Sequence, residues 1–353
     1  MLFEDQKREA IRNAWLLRQT PQVPFIVEVG ETHHATSEFI ADAAADLAWQ
    51  ETHCSELAEI GDYFIPNLKP NLGIGVVAAA FGCEWISDPE KDPWTKPIIG
   101  EANPQDVETL KMPDPARSGM NALAFERIQY FQQHSALPLR LVNVPSPLVT
   151  ASLIWEYTSF IAATITHPRL VHALLDKVTE ATIQFVRLQL RMIGSRLFAM
   201  SHEPWYLPLE LGIRISDDTA AVMSPRSYRE FGVPYNKRLS DAFGGIVVHS
   251  CGDIGHVLPA MLEIPGLRGI DLVAPQNDWR KVREITAGKA ALCLRYYGWD
   301  FPNSDPGNLF EYSRSLVEFF GRRGIMLWTQ TDTPAAAKEL SGKLHRVLDK
   351  GAV

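Results

Sequence analysis

The chain has 353 residues, of which 46% are hydrophobic and 22% are charged, and its formal net charge is −8. A protein that grips phosphate backbones usually carries a basic face, so this balance argues against a nucleic-acid partner. The longest apolar run, Ile74–Phe81, is far too short to cross a bilayer, and charges stand where a signal peptide would be apolar. We therefore expect a cytoplasmic protein without a membrane partner. In such a chain cysteines are expected to be buried, metal-binding or catalytic rather than disulfide-bonded.

Short apolar runs alternate with long segments of helical period, which is typical of a parallel barrel or a doubly wound sheet. The predicted strands are Pro24–Val29, Leu139–Val144, Leu197–Met200, Gly245–His249, Gly269–Leu272, Ala290–Leu294 and Gly324–Trp328. An eighth strand is expected between Asp62 and Ala80. We predict an α/β fold, a (β/α)8 TIM barrel formed by one domain over residues 1–353, with an N-terminal helical extension and loop insertions over the carboxyl-terminal mouth.

The sequence signals for the first residues of helices are clearer than those for strands. Pro168 occupies a favoured first helical position, and the periodic apolar residues after it predict a helix that stops at Gly194. Ser224, followed by a proline, predicts a second helix start with a capping hydroxyl. A third helix is expected to begin at about Asp253, because apolar residues then recur at helical spacing. The insertion at residues 81–115, rich in Pro, Trp and Gly, predicts loops over the mouth.

The segment from Gly245 to Asp253 contains His249 and Cys251, two residues apart. If the chain stays extended, both side chains project to one side at the carboxyl end of a strand, where barrels place their catalytic groups. The amino terminus of a following helix would lower the pKa of the Cys251 thiol. An imidazole beside a thiolate is a good pair of zinc ligands, so we predict a metal site. The alternative is a strand-end histidine and a small buried cysteine without metal.

A catalytic zinc site needs about three protein ligands and an open position. Cys293, in another predicted strand, is the leading third candidate, although a small apolar role within a buried strand explains it equally well. Asp253, His202 and Glu203 are weaker candidates.

Side chains that follow other predicted strands would face the same mouth. Aromatic residues there could wall an apolar ligand and an arginine could bind an anion, but packing under a loop would explain the same residues. Asp218 and its neighbour Asp217 could support acid–base chemistry or be solvated turn residues. The predicted site residues are Asp218 and His202 as catalytic groups, His249, Cys251 and Cys293 as metal ligands, and Glu28, His33, Trp205, Tyr206, Arg295 and Tyr297 as substrate-binding residues.

The run His249–Asp253, which reads His-Ser-Cys-Gly-Asp, resembles the H-x-C-G-N/D segment of the uroporphyrinogen decarboxylase superfamily. More narrowly, it resembles the cobalamin-related methyltransferase branch of that superfamily. Ile215–Asp218, Ser224–Phe231 and Pro234 together are similar to the "dD…SPe.y.eF..P" run of these proteins. The likeness extends over residues 20–340 and implies a TIM-barrel enzyme.

Two departures from these families narrow the expectation. Uroporphyrinogen decarboxylases carry an arginine-rich motif after the first strand to hold the substrate's propionates, whereas Val27–His34 contains no arginine, so porphyrin decarboxylation is not expected. The methyltransferases take a third zinc ligand from a cysteine after the last strand, and Leu327–Pro334 has no cysteine. Either Cys293 or a carboxylate supplies that ligand, or the metal site is incomplete or altered.

The resemblance implies a zinc-dependent methyltransferase that acts with a corrinoid (cobalamin), carried on a partner protein or serving as methyl carrier. The reaction would transfer a methyl group to a small thiol or demethylate a small methyl donor. One alternative is a metal-independent decarboxylase or lyase that uses Asp218 and a histidine on a carboxylated substrate. Another is a non-catalytic corrinoid- or ligand-binding subunit. A homodimer is left open.

Overall fold

The computed structural model describes residues 3–30, 36–89, 92–198, 204–297 and 306–348. Its strands are β1 Phe25–Val29, β2 Glu84–Ile86, β3 Trp94–Lys96, β4 Ile213–Ser216, β5 Ile246–Ser250, β6 Leu267–Val273, β7 Ala291–Arg295 and β8 Ile325–Thr331. Its helices are α1 Glu4–Trp15, α2 Ser37–Ala41, α3 Ala43–Ala58, α4 Val76–Ala80, α5 Asp106–Thr109, α6 Asn121–His134, α7 Pro147–Ile154, α8 Tyr157–Thr166, α9 Pro168–Ile193, α10 Pro225–Phe231, α11 Val233–Phe243, α12 Leu258–Met261, α13 Trp279–Thr286, α14 Pro306–Phe320 and α15 Pro334–Leu348. Short 3-10 helices cover Gly194–Arg196, Leu209–Leu211, Asp218–Val222 and Ala274–Gln276.

Six parallel strands form a curled sheet in the order β1-β8-β7-β6-β5-β4. Between β1 and β4 the described residues show single contacts: the Tyr63 N–H donates to the Phe25 carbonyl of β1 at 3.0 Å, and isolated parallel bridges follow. They join Leu68 to Leu139, Leu139 to Leu197, and Pro145 to Ser216. With helices packed around this curled sheet, the fold is a (β/α)8 barrel, which confirms the predicted fold class.

The strands are apolar on both faces because helices cover the outside and side chains fill the inside. Every residue of β5, β7 and β8 is buried. The predicted helix after Pro168 is α9, which ends at Gly194 in a backbone conformation with φ of 60°. The predicted start at Ser224 is also confirmed, since its hydroxyl accepts a hydrogen bond from the Ser227 backbone N–H at 3.0 Å.

Helix α1 closes the amino-terminal end of the barrel, as the predicted N-terminal helical extension. The ring of Trp15 lies against Gly269 near the start of β6, where a Cβ atom would come within 2.6 Å of it. The Trp15 indole N–H donates a hydrogen bond to the Tyr206 carbonyl at 2.9 Å. The mouth is therefore at the opposite end, where the strands finish.

Four predicted elements differ in the structure. The strand expected at Leu139–Val144 is reduced to isolated bridges at Leu139. Of the strand expected at Leu197–Met200, only a bridge at Leu197 is seen within the described residues. The next regular strand is β4, which was not predicted because an arginine interrupts its apolar run. The eighth strand, expected after Asp62, is reduced to the bridge at Leu68. The helix expected at about Asp253 begins at Leu258 and has four residues.

The insertion at residues 81–115 contains the antiparallel hairpin of β2 and β3, followed by α5. The Thr95 hydroxyl in β3 donates a hydrogen bond to the Leu153 carbonyl of α7 at 3.5 Å, so the hairpin lies beside α7. Among the described helices, none combines the length and the apolar composition that crossing a bilayer requires.

Candidate metal centre

His249 and Cys251 come together at the carboxyl end of β5. His249 is the last but one residue of the strand and is 3% exposed, whereas Cys251 follows the strand and is exposed. The Cys251 Sγ lies 3.3 Å from the His249 Nε2. The sulfur and the ring nitrogen therefore share one side of the chain at the mouth of the barrel.

The loop after Cys251 is stabilised by the loop after β6 and not by a helix. Gly252 has φ of 87°, a conformation that side chains with a Cβ rarely adopt. The Asn277 amide donates to the Gly252 carbonyl at 3.1 Å and accepts from the Ile254 N–H at 3.0 Å. Because α12 starts only at Leu258, the helix terminus predicted directly behind Cys251 lies further along the chain.

Asp218 is the third member of the group. It stands just after β4, which pairs with β5, and its Oδ1 lies 3.6 Å from the His249 Nε2. The same oxygen accepts a hydrogen bond from the Cys251 backbone N–H at 2.7 Å. We call Asp218, His249 and Cys251 the metal group. Within the described part of the chain, they are the one set of three or more His, Cys, Asp or Glu residues whose ligand atoms all lie within 4.8 Å of one another.

The spacing of the three donor atoms fits a zinc ion. Zinc bonds of about 2.0 to 2.3 Å at tetrahedral angles separate neighbouring ligand atoms by about 3.3 to 3.6 Å. The measured nitrogen-to-sulfur and nitrogen-to-oxygen distances are 3.3 and 3.6 Å. Since Cys251 is exposed and the Asp218 side chain is 48% exposed, the outer side of the group is accessible for a fourth ligand.

Asp271 on β6 contacts the other nitrogen of the His249 ring. Its Oδ2 lies 3.1 Å from the His249 Nδ1. The Arg295 guanidinium also approaches Nδ1, at 3.3 Å, but a carboxylate is the stronger acceptor, so we assign the ring hydrogen to Nδ1. This tautomer leaves the Nε2 lone pair directed at the Cys251 sulfur, where a metal would bind.

Two buried arginines surround Asp271. Its Oδ2 accepts hydrogen bonds from Arg295 at 2.8 Å and from Arg214 at 3.2 Å. Burial alone would raise the pKa of the Asp271 carboxyl, but the charges of Arg295 and Arg214 and the hydrogen bond from His249 hold it well below its usual range. Asp271 therefore remains ionised behind the histidine.

Arg295 links this cluster to the wall of the barrel. Its guanidinium donates to the Tyr297 hydroxyl at 3.1 Å and lies 4.0 Å from the centre of the Trp328 ring. Burial raises the pKa of Tyr297 well above its usual value, so its hydroxyl stays protonated. Arg295 is 4% exposed and contacts His249 and Asp271. Its burial suits a structural role behind His249 better than the predicted binding of an anionic substrate.

The neighbouring aspartates have different environments. Asp217 is fully buried and accepts hydrogen bonds from Ser146 at 2.7 Å, Tyr228 at 2.8 Å and Asn236 at 2.9 Å. Burial raises the pKa of its carboxyl against these hydrogen bonds. Asp217 thus anchors the loop to α10 and α11, while Asp218 lies beside His249 and Cys251.

A cleft opens beside Asp218, with an empty volume of about 850 Å³ including space open to solvent. Apolar side chains from the hairpin side, α7 and α8 dominate its wall; they include Ile74, Pro97, Val149, Leu153 and Tyr157. Burial and the Asp218 charge raise the pKa of Tyr157, so this phenol is neutral at the cleft. The cleft therefore places a mainly apolar wall next to the Asp218 carboxylate.

The structure does not bring all the predicted residues to this group. Cys293 is fully buried in β7 and is not among the three residues whose ligand atoms lie together; Asp218 takes the third place in that group. Trp205 is fully buried in the core, and Tyr206 packs against Arg8 of α1 at 4.5 Å, near the closed end of the barrel.

Three further predictions concern the interior and the loops. Glu28 on β1 lines a separate cavity bounded by β1, β8 and α3. His33 and His202, as well as the weaker candidate Glu203, lie outside the described residues.

Sequence reasoning missed Asp271 and Arg214. Each is an ionisable residue inside an apolar strand, and a charge is buried only where it is paired. An aspartate in one strand and an arginine in another are the signal that could have revealed this internal ion pair.

Comparisons with known proteins agree with this architecture. A methyltransferase from Methanosarcina mazei is 17% identical, with 96% of this chain and 98% of that chain covered and a TM-score of 0.72, a likeness that shows the fold. The homocysteine methyltransferase MmuM from Escherichia coli, in apo and metallated forms, is 10% and 11% identical over 69% and 70% of this chain and 93% and 96% of its own. Its TM-score of 0.26 in both forms is too low to support an argument. None of the curated proteins compared with the chain matches it.

The family model described as uroporphyrinogen decarboxylase (URO-D) matches residues 67–200 and 211–293, well over half of the chain. The second matched segment contains the whole metal group together with Asp271. The chain belongs to the uroporphyrinogen decarboxylase family.

Proposed function

We propose that the protein is a zinc-dependent methyltransferase that acts with a corrinoid. The observation that carries the proposal is the group of Asp218, His249 and Cys251, in which the nitrogen-to-sulfur and nitrogen-to-oxygen distances match those between zinc ligands and Asp218 lines a largely apolar cleft. A cation with three protein ligands and an accessible fourth position is the arrangement of catalytic zinc sites, whereas structural zinc sites are closed.

Each residue of the group has a defined part in this chemistry. A zinc ion held there would bind a substrate thiol as its thiolate at neutral pH and so prepare the sulfur to attack a corrinoid methyl group. Asp271 orients the His249 ring through Nδ1, which keeps Nε2 available as a ligand. The apolar wall around Tyr157 limits the access of water to the reacting sulfur.

The position of Asp218 supports this function over a metal-independent decarboxylase. Asp218 lies among zinc-type ligands, beside His249 and Cys251, and its Oδ1 accepts the Cys251 N–H, a setting that favours a role as a metal ligand. In this proposal the Asp218 carboxylate replaces the cysteine that follows the last strand in the related methyltransferases, and the metal site is an altered form of theirs.

We further propose that the corrinoid arrives on a partner protein, which docks at the mouth. Two apolar side chains of the cleft wall, Ile74 and Tyr157, are exposed. Trp94, which precedes the cleft residue Thr95, and Val222, which ends the 3-10 helix of Asp218, are exposed as well, and we call these four residues the mouth rim. An apolar rim next to an active-site opening suits a protein that must deliver a methyl group into the cleft.

Metal analysis and a methyl-transfer assay test the proposal together. Protein purified without chelator should hold one zinc per chain, Cys251→Ala should lose it, and Cys293→Ala should keep it. With methylcobalamin and a small thiol, the wild type should consume methylcobalamin and Cys251→Ala should not. Wild-type protein without stoichiometric metal, or full turnover by Cys251→Ala, would overturn the proposal.

A further inference from the structure

The cleft beside Asp218 has a cavity volume of about 420 Å³, enough for a small-molecule substrate. Two of the residues that the structure describes in its lining carry a charge, and both are carboxylates. Asp218 follows β4 and Glu156 precedes α8, while no lysine, arginine or histidine is among the described lining residues. The electrostatic potential of the cleft is therefore negative.

Glu156 is held in one orientation as the capping residue of α8. Its Oε1 accepts the Thr158 N–H at 3.0 Å, and its Oε2 accepts the Ser159 N–H at 2.8 Å. Its own backbone N–H donates to the Ile99 carbonyl at 2.8 Å. The backbone hydrogen bonds from Ser159 and Thr158 hold the pKa of Glu156 below its usual range, so the cleft has a fixed carboxylate at neutral pH.

The start of α8 is thereby closed to an anionic substrate. Backbone N–H groups at the amino terminus of a helix ordinarily favour an anion. In α8 the chain's own Glu156 occupies the Thr158 and Ser159 N–H groups. A second carboxylate, or a sulfonate, would find these donors occupied and would be repelled by Glu156.

Tyr157 adds an aromatic ring to the same wall. It lines the cleft and is 43% exposed. Burial and then the Asp218 charge raise the pKa of Tyr157, and an electrostatic effect of this kind requires the phenol to lie near the metal group. An ammonium group is attracted to an aromatic face as well as to carboxylates, so Glu156 and Tyr157 together suit a cation.

A loaded metal group would add to this preference. The charges of a zinc ion, the Asp218 carboxylate and the Cys251 thiolate cancel, because His249 binds as a neutral ring. A substrate thiolate on the same ion gives the group a net negative charge. The remainder of the substrate therefore meets negative charge both at the metal group and at Glu156.

We propose that the cleft selects a thiol that carries a positively charged amino group, an aminoalkanethiol, over thiols that carry a carboxylate or a sulfonate. The sulfur binds at the metal group, the ammonium interacts with Glu156 and Tyr157, and the short alkyl chain contacts the apolar wall. This selection rests on the proposed function, since it concerns the thiol that accepts the methyl group.

NMR titration of the full chain with three matched thioethers tests the selection without turnover. S-Methylcysteamine is cationic, methylthioethanol is neutral and methylthiopropanoate is anionic, and each is the methylated product of the corresponding thiol. We expect the cation to bind at least about tenfold more tightly than the anion, because reversing the charge turns attraction to Glu156 into repulsion. The neutral thioether should lie between them. Equal affinities, tighter binding of the anion, or no binding of any probe would overturn the proposal.

The preference should also depend on ionic strength. Raising sodium chloride from about 0.05 M to about 0.5 M should reduce the ratio of cationic to anionic affinity about threefold, since salt screens charges that are partly exposed. A ratio that does not change with salt would contradict an electrostatic origin.

Glu156→Gln assigns the selection to this side chain. The amide keeps an oxygen acceptor for the start of α8 and removes the charge, so the ratio of cationic to anionic affinity should fall about fivefold. Asp42→Asn is the matched control and should keep the wild-type ratio, because Asp42 is an exposed carboxylate that caps α3 and is not among the cleft residues. An unchanged ratio in Glu156→Gln that thermal unfolding shows to be folded would contradict the proposal.

Turnover separates this proposal from zinc-dependent methyl transfer. With methylcobalamin, Glu156→Gln should lower kcat/KM for cysteamine relative to mercaptopropanoate about fivefold, and comparison with the wild type removes the intrinsic reactivity of each thiol. Wild type that orders the thioethers as expected but methylates no thiol would contradict methyl transfer and support the selection. Methylation in which Glu156→Gln leaves this ratio unchanged would contradict the selection alone.

Discussion

At the scale of single residues, the chemistry depends on the two nitrogens of His249. The Nε2 faces Cys251 and Asp218, and the Nδ1 faces Asp271 at 3.1 Å. A metal-binding histidine whose second nitrogen donates to a carboxylate is fixed in tautomer and ring orientation and is a more basic ligand. Asp271 thus acts through His249, as a positioning residue.

Replacing Asp271 by asparagine should weaken zinc binding. Loss of this kind of partner costs about 10- to 100-fold in metal affinity, because the ring is no longer held in one tautomer and orientation. Competition with a chromophoric chelator measures the affinity. Asp253→Asn is the control, since that carboxylate is two residues from Cys251 but accepts the Gly255 N–H instead. An unchanged affinity in folded Asp271→Asn would contradict the positioning role.

Helix starts were predicted best at this scale, because their signals are local. Pro168 and Ser224 act within one turn of the helices that they begin, and both helices were confirmed. The third member of the metal group was predicted only as a catalytic residue, with Cys293 as the leading ligand candidate. Asp218 lies near His249 because β4 and β5 are neighbours in the sheet, which brings it there from 31 positions earlier in the chain.

At the scale of elements, polar side chains fix the loops between strands. Asp62 accepts hydrogen bonds from the Val27 N–H of β1 at 2.7 Å and from the Phe64 N–H at 2.8 Å. It thereby joins β1 to the next segment where regular strand pairing is replaced by single contacts. The helix predicted after Cys251 failed for a related reason, since hydrogen bonds from Asn277 replace the helical turn and apolar spacing cannot reveal them.

The stability of the protein should fall with rising pH because of Asp62. Burial outweighs its two hydrogen bonds and raises the pKa of the Asp62 carboxyl to about 6. A carboxyl whose folded pKa is raised stabilises the fold fully below its unfolded pKa and loses that contribution as pH rises through the folded value. The shift corresponds to about 3 kcal/mol between pH 4 and pH 8.

Urea unfolding of the wild type and of Asp62→Asn between about pH 4 and pH 8 measures this contribution. The wild type should lose free energy of unfolding relative to the variant as pH rises, since asparagine does not titrate. Parallel pH profiles of the two proteins would show that Asp62 is not the titrating group.

At the scale of the whole molecule, the two ends of the barrel differ. Helix α1 closes one end with Trp15, whereas the other end carries the metal group, the cleft and the mouth rim. Alternating strands and helices predicted a parallel α/β fold, a barrel or a doubly wound sheet, and the family resemblance implied the TIM barrel. The location of β4 could not be predicted, because four residues with an internal arginine give too short an apolar signal.

The mouth rim predicts a defect that depends on the methyl carrier. Trp94→Ala should lower kcat/KM about tenfold with a protein-bound corrinoid, because a large exposed aromatic residue is typical of a binding hot spot. It should leave turnover with free methylcobalamin unchanged, since Trp94 does not line the cleft. Ile165→Ala on α8, also exposed, is the control. Equal loss with both carriers would argue against docking at the rim.

Zinc-edge X-ray absorption on the purified protein tests the central claim most directly, since it counts the sulfur ligands of the ion. With Cys251, His249 and Asp218 as ligands, the spectrum should contain one sulfur at about 2.3 Å and lighter atoms at about 2.0 to 2.2 Å. Two sulfur ligands from the chain, or a spectrum of Cys251→Ala identical to that of the wild type, would contradict the account.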